Sequence, residues 1–294
     1  MNAATVRPGG APVRFAVVAT PDGDGRGWAR RAAALDEAGW HALLVPDTLA
    51  SCSPFPALAA AAAVTRRIRL RTWVLATPLR TPAATVREAR ALQELSGGRF
   101  EAGLGSGRPQ AEREAAALGV AWPVAGERIA QVRTAIAALR AGPAPVPPIV
   151  IAAAGPRMTR AAAAAVSAPD AGPEDRVVLA LPPTADQEQL SAAAARVHQA
   201  AGRPVRLSLQ VVGVSGQVSE AFARWSGLDA AALAACRSAG ALPADPDEAL
   251  AVLRDRSEQL GVDEVVVPAD LAAAAEPLLA RGPVSWSGAR TGSR

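Results

Sequence analysis

The sequence predicts an α/β protein built as a single (β/α)8 TIM barrel, on three observations. Short apolar runs alternate with helix-period segments from residue 13 to about residue 282, giving eight strand–helix pairs. No composition break divides the chain; only the Pro-rich stretch Pro143 to Pro148 interrupts the pattern. The length of 294 residues suits one closed barrel, which has no edge strand to protect. Parallel neighbours need crossover helices, so the alternation implies a parallel sheet. An open doubly wound sheet would share that order and is the rival architecture.

The elements follow in sequence. Val13 to Ala19 is a short, β-branched apolar run that ends at the turn-forming Pro21-Asp22-Gly23-Asp24-Gly25, the signature of a buried strand entering a loop. Trp28 to Ala38 carries helical spacing and stops at Gly39, where a left-handed cap would fall. Strands are then expected at Ala42 to Val45, Ile68 to Leu75, Phe100 to Leu104, Ile149 to Ala153, Val177 to Leu181, Val205 to Val212 and Glu264 to Val267. Helices are expected at Pro56 to Thr65, Ala83 to Leu95, Gly126 to Arg140, Arg157 to Val166, Gln187 to Ala201, Ala230 to Ser238, Pro246 to Leu260 and Leu271 to Leu279. Both ends, residues 1–12 and 283–294, are rich in Gly, Ser, Pro and Arg and read as disordered.

Composition narrows the function. Hydrophobic residues make up 50% of the chain, but much of that is Ala, so Leu, Val and Ile must form the core. Aromatics are 3% and Tyr is absent, which argues against base-stacking platforms and hence against nucleic acid. The net charge of +4 comes from Arg without any Lys, interspersed with Asp and Glu rather than gathered in a basic run. Cys52 and Cys236 are isolated, with neither disulfide density nor metal-ligand spacing, so no metal and a reducing cytoplasm are expected. No apolar stretch is long enough for a membrane span or a signal core.

Functional groups of such barrels lie at the C-terminal strand ends and the loops that follow. The most informative of these segments is Gly103-Leu104-Gly105-Ser106-Gly107-Arg108. Alternate strand residues share a face, so its glycines would leave one face bare for a flat ring system; a strand running into a flexible turn explains them equally well. The Gly-rich loop does not open promptly into a helix, so it is not a dinucleotide fingerprint.

The segments "EAGWHALLVPDTL", "LSGGRFEAGLGSGR", "ERIAQVRTAIAALR", "PPIVIAAAGPRM" and "DPDEALAVLRDRSEQLGVDEVVV" carry a resemblance that covers nearly all of residues 13 to 281. The chain resembles the luciferase-like monooxygenases and coenzyme F420-dependent oxidoreductases. That resemblance implies a luciferase-like barrel that binds F420 or reduced flavin mononucleotide (FMN) at the strand ends and acts on a small organic substrate. It also implies a homodimer.

Carried over by position, Asp47 ends strand two where many F420-using relatives have Asp followed by His. Thr48 holds the His position here. Asp47 and Thr48 are the candidate catalytic residues, with a turn cap as the other role open to Asp47. His41 and His198 read as structural. Trp73, Val74, Leu75, Ala76 and Thr77 match a backbone bend beneath the cofactor ring, with a non-proline cis bond implied by resemblance; Trp73 could otherwise be a core aromatic. Gly105, Ser106, Gly107 and Arg108 are further cofactor candidates. Ala153, Ala154, Gly155, Pro156 and Arg157 match a phosphate-holding helix start, where free amides and an Arg favour an anion. A plain helix start fits them too, and the alanines depart from the family's glycines. Arg80, Arg108 and Arg157 together suggest a mouth favourable to the anionic tail of F420. Three readings follow: an F420-dependent oxidoreductase, an FMN-dependent monooxygenase using oxygen, and a non-catalytic barrel with an eroded site. A second departure, Ser167 to Pro173 ahead of Val177, leaves the sixth strand open.

Overall fold

The computed structural model describes residues 12–281. The expectations for the chain ends, Pro12 apart, lie outside the described residues. The chain closes a parallel barrel. Its strands are β1 (Arg14–Val18), β2 (Ala42–Val45), β3 (Arg69–Thr72) with its continuation β4 (Leu75–Ala76), β5 (Phe100–Gly105), β6 (Ile149–Ala153), β7 (Arg176–Leu179) and β8 (Arg206–Gln210). A small antiparallel hairpin follows, β9 (Gly213–Val214) with β10 (Gln217–Val218), and then the last barrel strand β11 (Val262–Pro268). The order β3-β2-β1-β11-β8-β7-β6-β5 is closed by pairing of β3 with β5, which excludes the open doubly wound alternative.

The helices are α1 (Gly25–Glu37), α2 (Pro54–Val64), α3 (Pro82–Leu95), α4 (Ala111–Ala117), α5 (Ala125–Arg140), α6 (Gly155–Ser167), α7 (Gln187–Ala201), α8 (Glu220–Ser226), α9 (Ala230–Ala235), α10 (Pro246–Leu260) and α11 (Ala272–Ala280). Several of their starts are written in capping residues. Asp24, Thr81 and Asp245 accept N–H bonds from the first turns of α1, α3 and α10, and Asp186 with Gln189 forms a reciprocal box on α7. Gly39, expected as a left-handed stop, has φ +84°.

The strands sort their side chains by parity. Outward residues such as Phe15, Leu43, Leu70, Phe100, Leu104, Ile151 and Val265 form one core with the helices. Inward residues fill the barrel in layers. At its base lies an ionic layer: Arg71, fully buried, donates to both oxygens of Glu264 at 2.6 Å and to Glu101 at 2.6 Å. Arg176 reaches Asp263 at 3.1 Å, Arg206 reaches Asp263 at 2.8 Å, and Ser208 donates to Glu264 at 2.7 Å. Arg69 pairs with Glu101 and Arg14 with Glu174. A register shift between Val262 and Glu264 turns two consecutive carboxylates toward this layer. Above it, Ala16, Ala42, Leu44 and Val266 pack with Val18 and Trp73. The small alanines leave room for long guanidinium chains beneath.

Three expectations need correction. The third strand is not continuous from Ile68 to Leu75: it breaks after Thr72 and resumes at Leu75, because three residues of this strand face two of β5. The expected order also lacks elements at two places, helix α4 and the β9–β10 hairpin with α8. The sixth strand, left open, is present and in register with β6. Asp175 anchors its approach by accepting from the N–H groups of Ile149 and Gly172 and from Arg140.

Candidate active site at the barrel mouth

A cavity of about 1100 Å³ opens at the C-terminal ends of the strands. Its floor is the break in the third strand. The Trp73–Val74 peptide is cis, matching the bend implied for this segment. Thr72 bridges the lost rungs: its hydroxyl donates to the Gly103 carbonyl at 2.8 Å and accepts from the Gly103 N–H at 3.0 Å. A Cβ on Gly103 would lie 1.8 Å from the Thr72 carbonyl oxygen, so only glycine permits this approach.

The glycines also serve the protein's own contacts. A Cβ on Gly105 would lie 2.7 Å from a methyl of Val74, so glycine here lets Val74 pack against the strand end. Gly107 has φ +88°, and its Cβ would meet the Trp122 ring at 2.3 Å. Trp122 in turn lies under Arg128, 4.6 Å from its ring centroid, and Arg128 donates to the carbonyls of Ser106 and Pro123. The turn at Gly105, Ser106, Gly107 and Arg108 is thus pinned from outside while lining the cavity.

Asp47 also lines the cavity, but its carboxylate is committed. One oxygen accepts from the Ala76 N–H at 2.8 Å and from Arg80 at 2.7 Å, and the other from Arg80 at 3.0 Å. Asp47 thus braces the resumed strand at Ala76, rather than capping the turn that follows Pro46. Thr48 accepts from the Ala50 N–H at 3.0 Å, a local turn contact. Arg108 donates to the Asp47 carbonyl at 2.8 Å and pairs with Glu114. Two of the three arginines expected to face an anionic tail are therefore engaged in the wall.

The third, Arg157, is exposed in the first turn of α6 and has no partner among the described residues. Ala154 precedes that helix without a side-chain cap, so its first N–H groups have no side-chain acceptor. Ala152, Ala154 and Met158 line the cavity; Ala153 instead points outward into the helix-facing core. Its place in the cofactor set was one residue out of phase, because strand parity alternates between Ala152 and Ala153. Gly155, Pro156 and Arg157 are exposed at the helix start and do not line the cavity, which Ala154 and Met158 on either side of them do.

The histidines lie away from the mouth. His198 accepts from the Val205 N–H and contacts the Leu260 carbonyl at 2.9 Å, tying α7 to α10. His41 sits at the start of β2, at the base of the barrel, where burial pushes it down to about 4. In the ionic layer, burial opposes the charge on Glu264, but Arg176 and Arg71 hold it well below the usual carboxylate range. Glu101 is likewise held low by Arg71 and Arg69 against its burial.

Sequence reasoning missed Thr72, Gln210 and the ionic layer. Only the layer had a signal: Arg69 and Arg71, Glu101 and Glu264 stand at alternating positions in otherwise apolar strands. Gln210 ends β8 and accepts the indole N–H of Trp73 at 2.9 Å across the mouth. On the rim, Asp270 accepts from Ser219 at 2.9 Å and the Ala221 N–H at 3.2 Å, fastening α8 to the loop after β11. No helix among the described residues is long and apolar enough to cross a membrane.

Solved structures with this architecture include monooxygenase RslO1 from Streptomyces bottropensis, at TM-score 0.68 and 21% identity over 92% of this chain and 98% of that one. A second is the coenzyme F420-dependent tetrahydromethanopterin reductase from Methanopyrus kandleri, at TM-score 0.67 and 17% identity over 93% and 99%. A third is the oxygenating constituent of 3,6-diketocamphane monooxygenase from Pseudomonas putida in complex with FMN, at TM-score 0.62 and 14% identity over 87% and 91%. No curated protein matches the sequence. The family model described as luciferase-like monooxygenase matches residues 11–264, nearly the whole barrel, and the chain belongs to that family.

Proposed function

We propose that this chain is an oxidoreductase that holds a flavin-type cofactor in the mouth cavity, with reduced FMN and oxygen acting on a small organic substrate. The residues present fit such a group. The cavity of about 1100 Å³ accommodates a tricyclic ring, a phosphorylated side chain and a small substrate together. Val74 and the bend it belongs to would support the ring, and the uncapped start of α6 with Arg157 would receive a phosphate. When bound, the reduced flavin supplies the electrons for oxygen insertion. The protein's share is to orient the substrate, exclude water from the apolar floor and hold the bend in place.

The observation that carries FMN over F420 is the commitment of Asp47, Arg80 and Arg108 to one another and to the wall. Reduction of a carbonyl by hydride needs a proton donor at the oxygen. At the cavity floor, Asp47 is ion-paired and both histidines lie elsewhere. The long anionic tail of F420 would also find fewer free cations than the sequence promised. The F420 reading is the second, supported by the exposed Arg157 at the start of α6, by the exposed Arg224 on the rim, and by the similarity of this barrel to an F420-dependent reductase.

Fluorescence titration of the purified chain with FMN and with F420 tests this. Tighter binding of FMN is expected. Tighter binding of F420 replaces it with the second reading. Binding of neither at about 1 mM, the upper end of usual KM values, replaces both with a non-catalytic barrel.

A further inference from the structure

Resting on that reading of the cavity, we propose that Trp73 and Gln210 select the substrate as a planar, uncharged ring compound with a hydrogen-bond-accepting oxygen such as a carbonyl. The two residues come from opposite walls: β3 and β8 are four strands apart in either direction around the closed sheet. Trp73 therefore reaches across the barrel to Gln210, and both line the cavity.

The indole is fixed. Its N–H is held at 2.9 Å by Gln210 Oε1, and the guanidinium of the buried Arg71 lies 5.9 Å from the ring centroid. Arg71 is itself locked by Glu101 and Glu264. A half-buried indole held by a hydrogen bond and facing a cavity is a stacking surface, favouring flat aromatic partners. The surrounding lining is apolar: Val18, Val74, Val178, Leu209, Val212 and Phe222.

The orientation of Gln210 follows from chemistry. An indole N–H only donates, so the amide oxygen must face Trp73 and the NH2 group must face away. Gln210 is exposed, and that nitrogen has no protein acceptor among the described residues. It presents donors beside the indole, which match a carbonyl, ether or hydroxyl oxygen. A charged ligand finds no such match at the floor, because nearby charges are paired: Arg31 with Asp22 at 2.6 Å, Arg80 with Asp47 at 2.7 Å, and Arg108 with Glu114. Glu220 and Arg224 stand on the exposed helix α8 at the rim.

The test uses two probes of the same shape, 2-acetonaphthone and 2-ethylnaphthalene, which differ in carrying a carbonyl or a methylene. Each is titrated into the chain alone and into the chain saturated with whichever cofactor binds. Gln210→Glu keeps an acceptor for the Trp73 N–H but offers the ligand another acceptor instead of donors. Relative to wild type, the preference for the ketone should fall about 3- to 10-fold in Q210E, the share of one neutral hydrogen bond. Binding of 2-ethylnaphthalene should be unchanged in Q210E and weakened in Trp73→Ala. Unchanged preference in Q210E, or no binding of either probe, overturns the proposal. Cofactor binding without ketone preference would sink this proposal alone; ketone preference without binding of FMN or F420 would sink the cofactor reading and leave the selectivity of Trp73 and Gln210 standing.

Discussion

The base and the mouth of the barrel are lined by the same inward-facing positions of the same strands, yet they are built on opposite principles. At the base, Arg71, Arg176, Glu101 and Glu264 are buried charges whose partners are other buried charges. At the mouth, the inward positions carry Val18, Trp73, Gly105, Ala152, Val178 and Gln210, with charge confined to the walls and rim. A buried ion network is intolerant of losing one member, because the remainder keeps an uncompensated charge. An apolar, small-residue mouth tolerates change in the fold while staying sensitive in what it binds. The contrast assigns stability to the lower half and selectivity to the upper half.

The largest expected effect comes from breaking the base. Arg71→Met keeps volume but leaves Glu101 with Arg69 and Glu264 with Ser208 and Arg176, one buried cation short, and should cost about 3–5 kcal/mol by analogy with other broken buried pairs. Urea unfolding measures it. A loss under about 1 kcal/mol would mean that the layer rearranges or hydrates, and the division between halves would not hold.

Acid should separate two contributions of the base. His41 has a folded-state value lowered from 6.5 to about 4, so between these the unfolded chain binds the proton that the folded chain refuses. Its stabilisation is complete above about pH 6.5 and is lost as pH falls toward about 4. Glu101 and Glu264 are held below the ordinary carboxylate value, so their contribution is lost only as pH falls below that value, about 4.3. His41→Gln should flatten the stability curve in the upper window alone, as read by unfolding at a series of pH values. A slope unchanged in that window would remove His41 from the account.

At the mouth, Gly105→Val should be milder for the fold. Its Cβ would approach the Val74 methyl at 2.7 Å, and overpacking of this kind typically costs about 1–3 kcal/mol. The displaced Val74 belongs to the cavity floor, so cofactor affinity should fall with it. A variant that melts earlier but binds normally would show that Val74 does not support the ring.

Much of the fold was legible because parallel barrels repeat a short code of apolar strand, capped helix and turn. Asp186 and Gln189 or Gly39 can be recognised from neighbours in sequence. The break after Thr72 was legible only through the resemblance, which implied a bend at Trp73 to Thr77; by residue pattern Arg-Thr-Trp-Val-Leu-Ala reads as continuous strand, and the interruption is bridged to Gly103, 31 residues away. Asp47 could be singled out as a strand-end carboxylate, but its occupation by Arg80, 33 positions on, exists only in three dimensions. The glycines were noticed for the absence of a side chain, but the close approach of Val74 and Trp122 that also requires it exists only in three dimensions.

The smallest effect on the fold should come from Arg157→Ala. The side chain is exposed, and no described residue pairs with it, so the thermal midpoint should not move. If α6 receives a phosphate, however, Arg157 can add a charge-assisted hydrogen bond to the helix amides, and its loss should weaken FMN binding by about tenfold, the low end for such a bond. Riboflavin, which has the ring without the phosphate, supplies the control: its affinity should be the same in wild type and variant. An equal loss for riboflavin would place Arg157 near the ring instead, and no loss for either would return it to a solvated helix surface. Only a loss confined to FMN makes the start of α6 the phosphate site and separates anchoring at the rim from ring support at the floor.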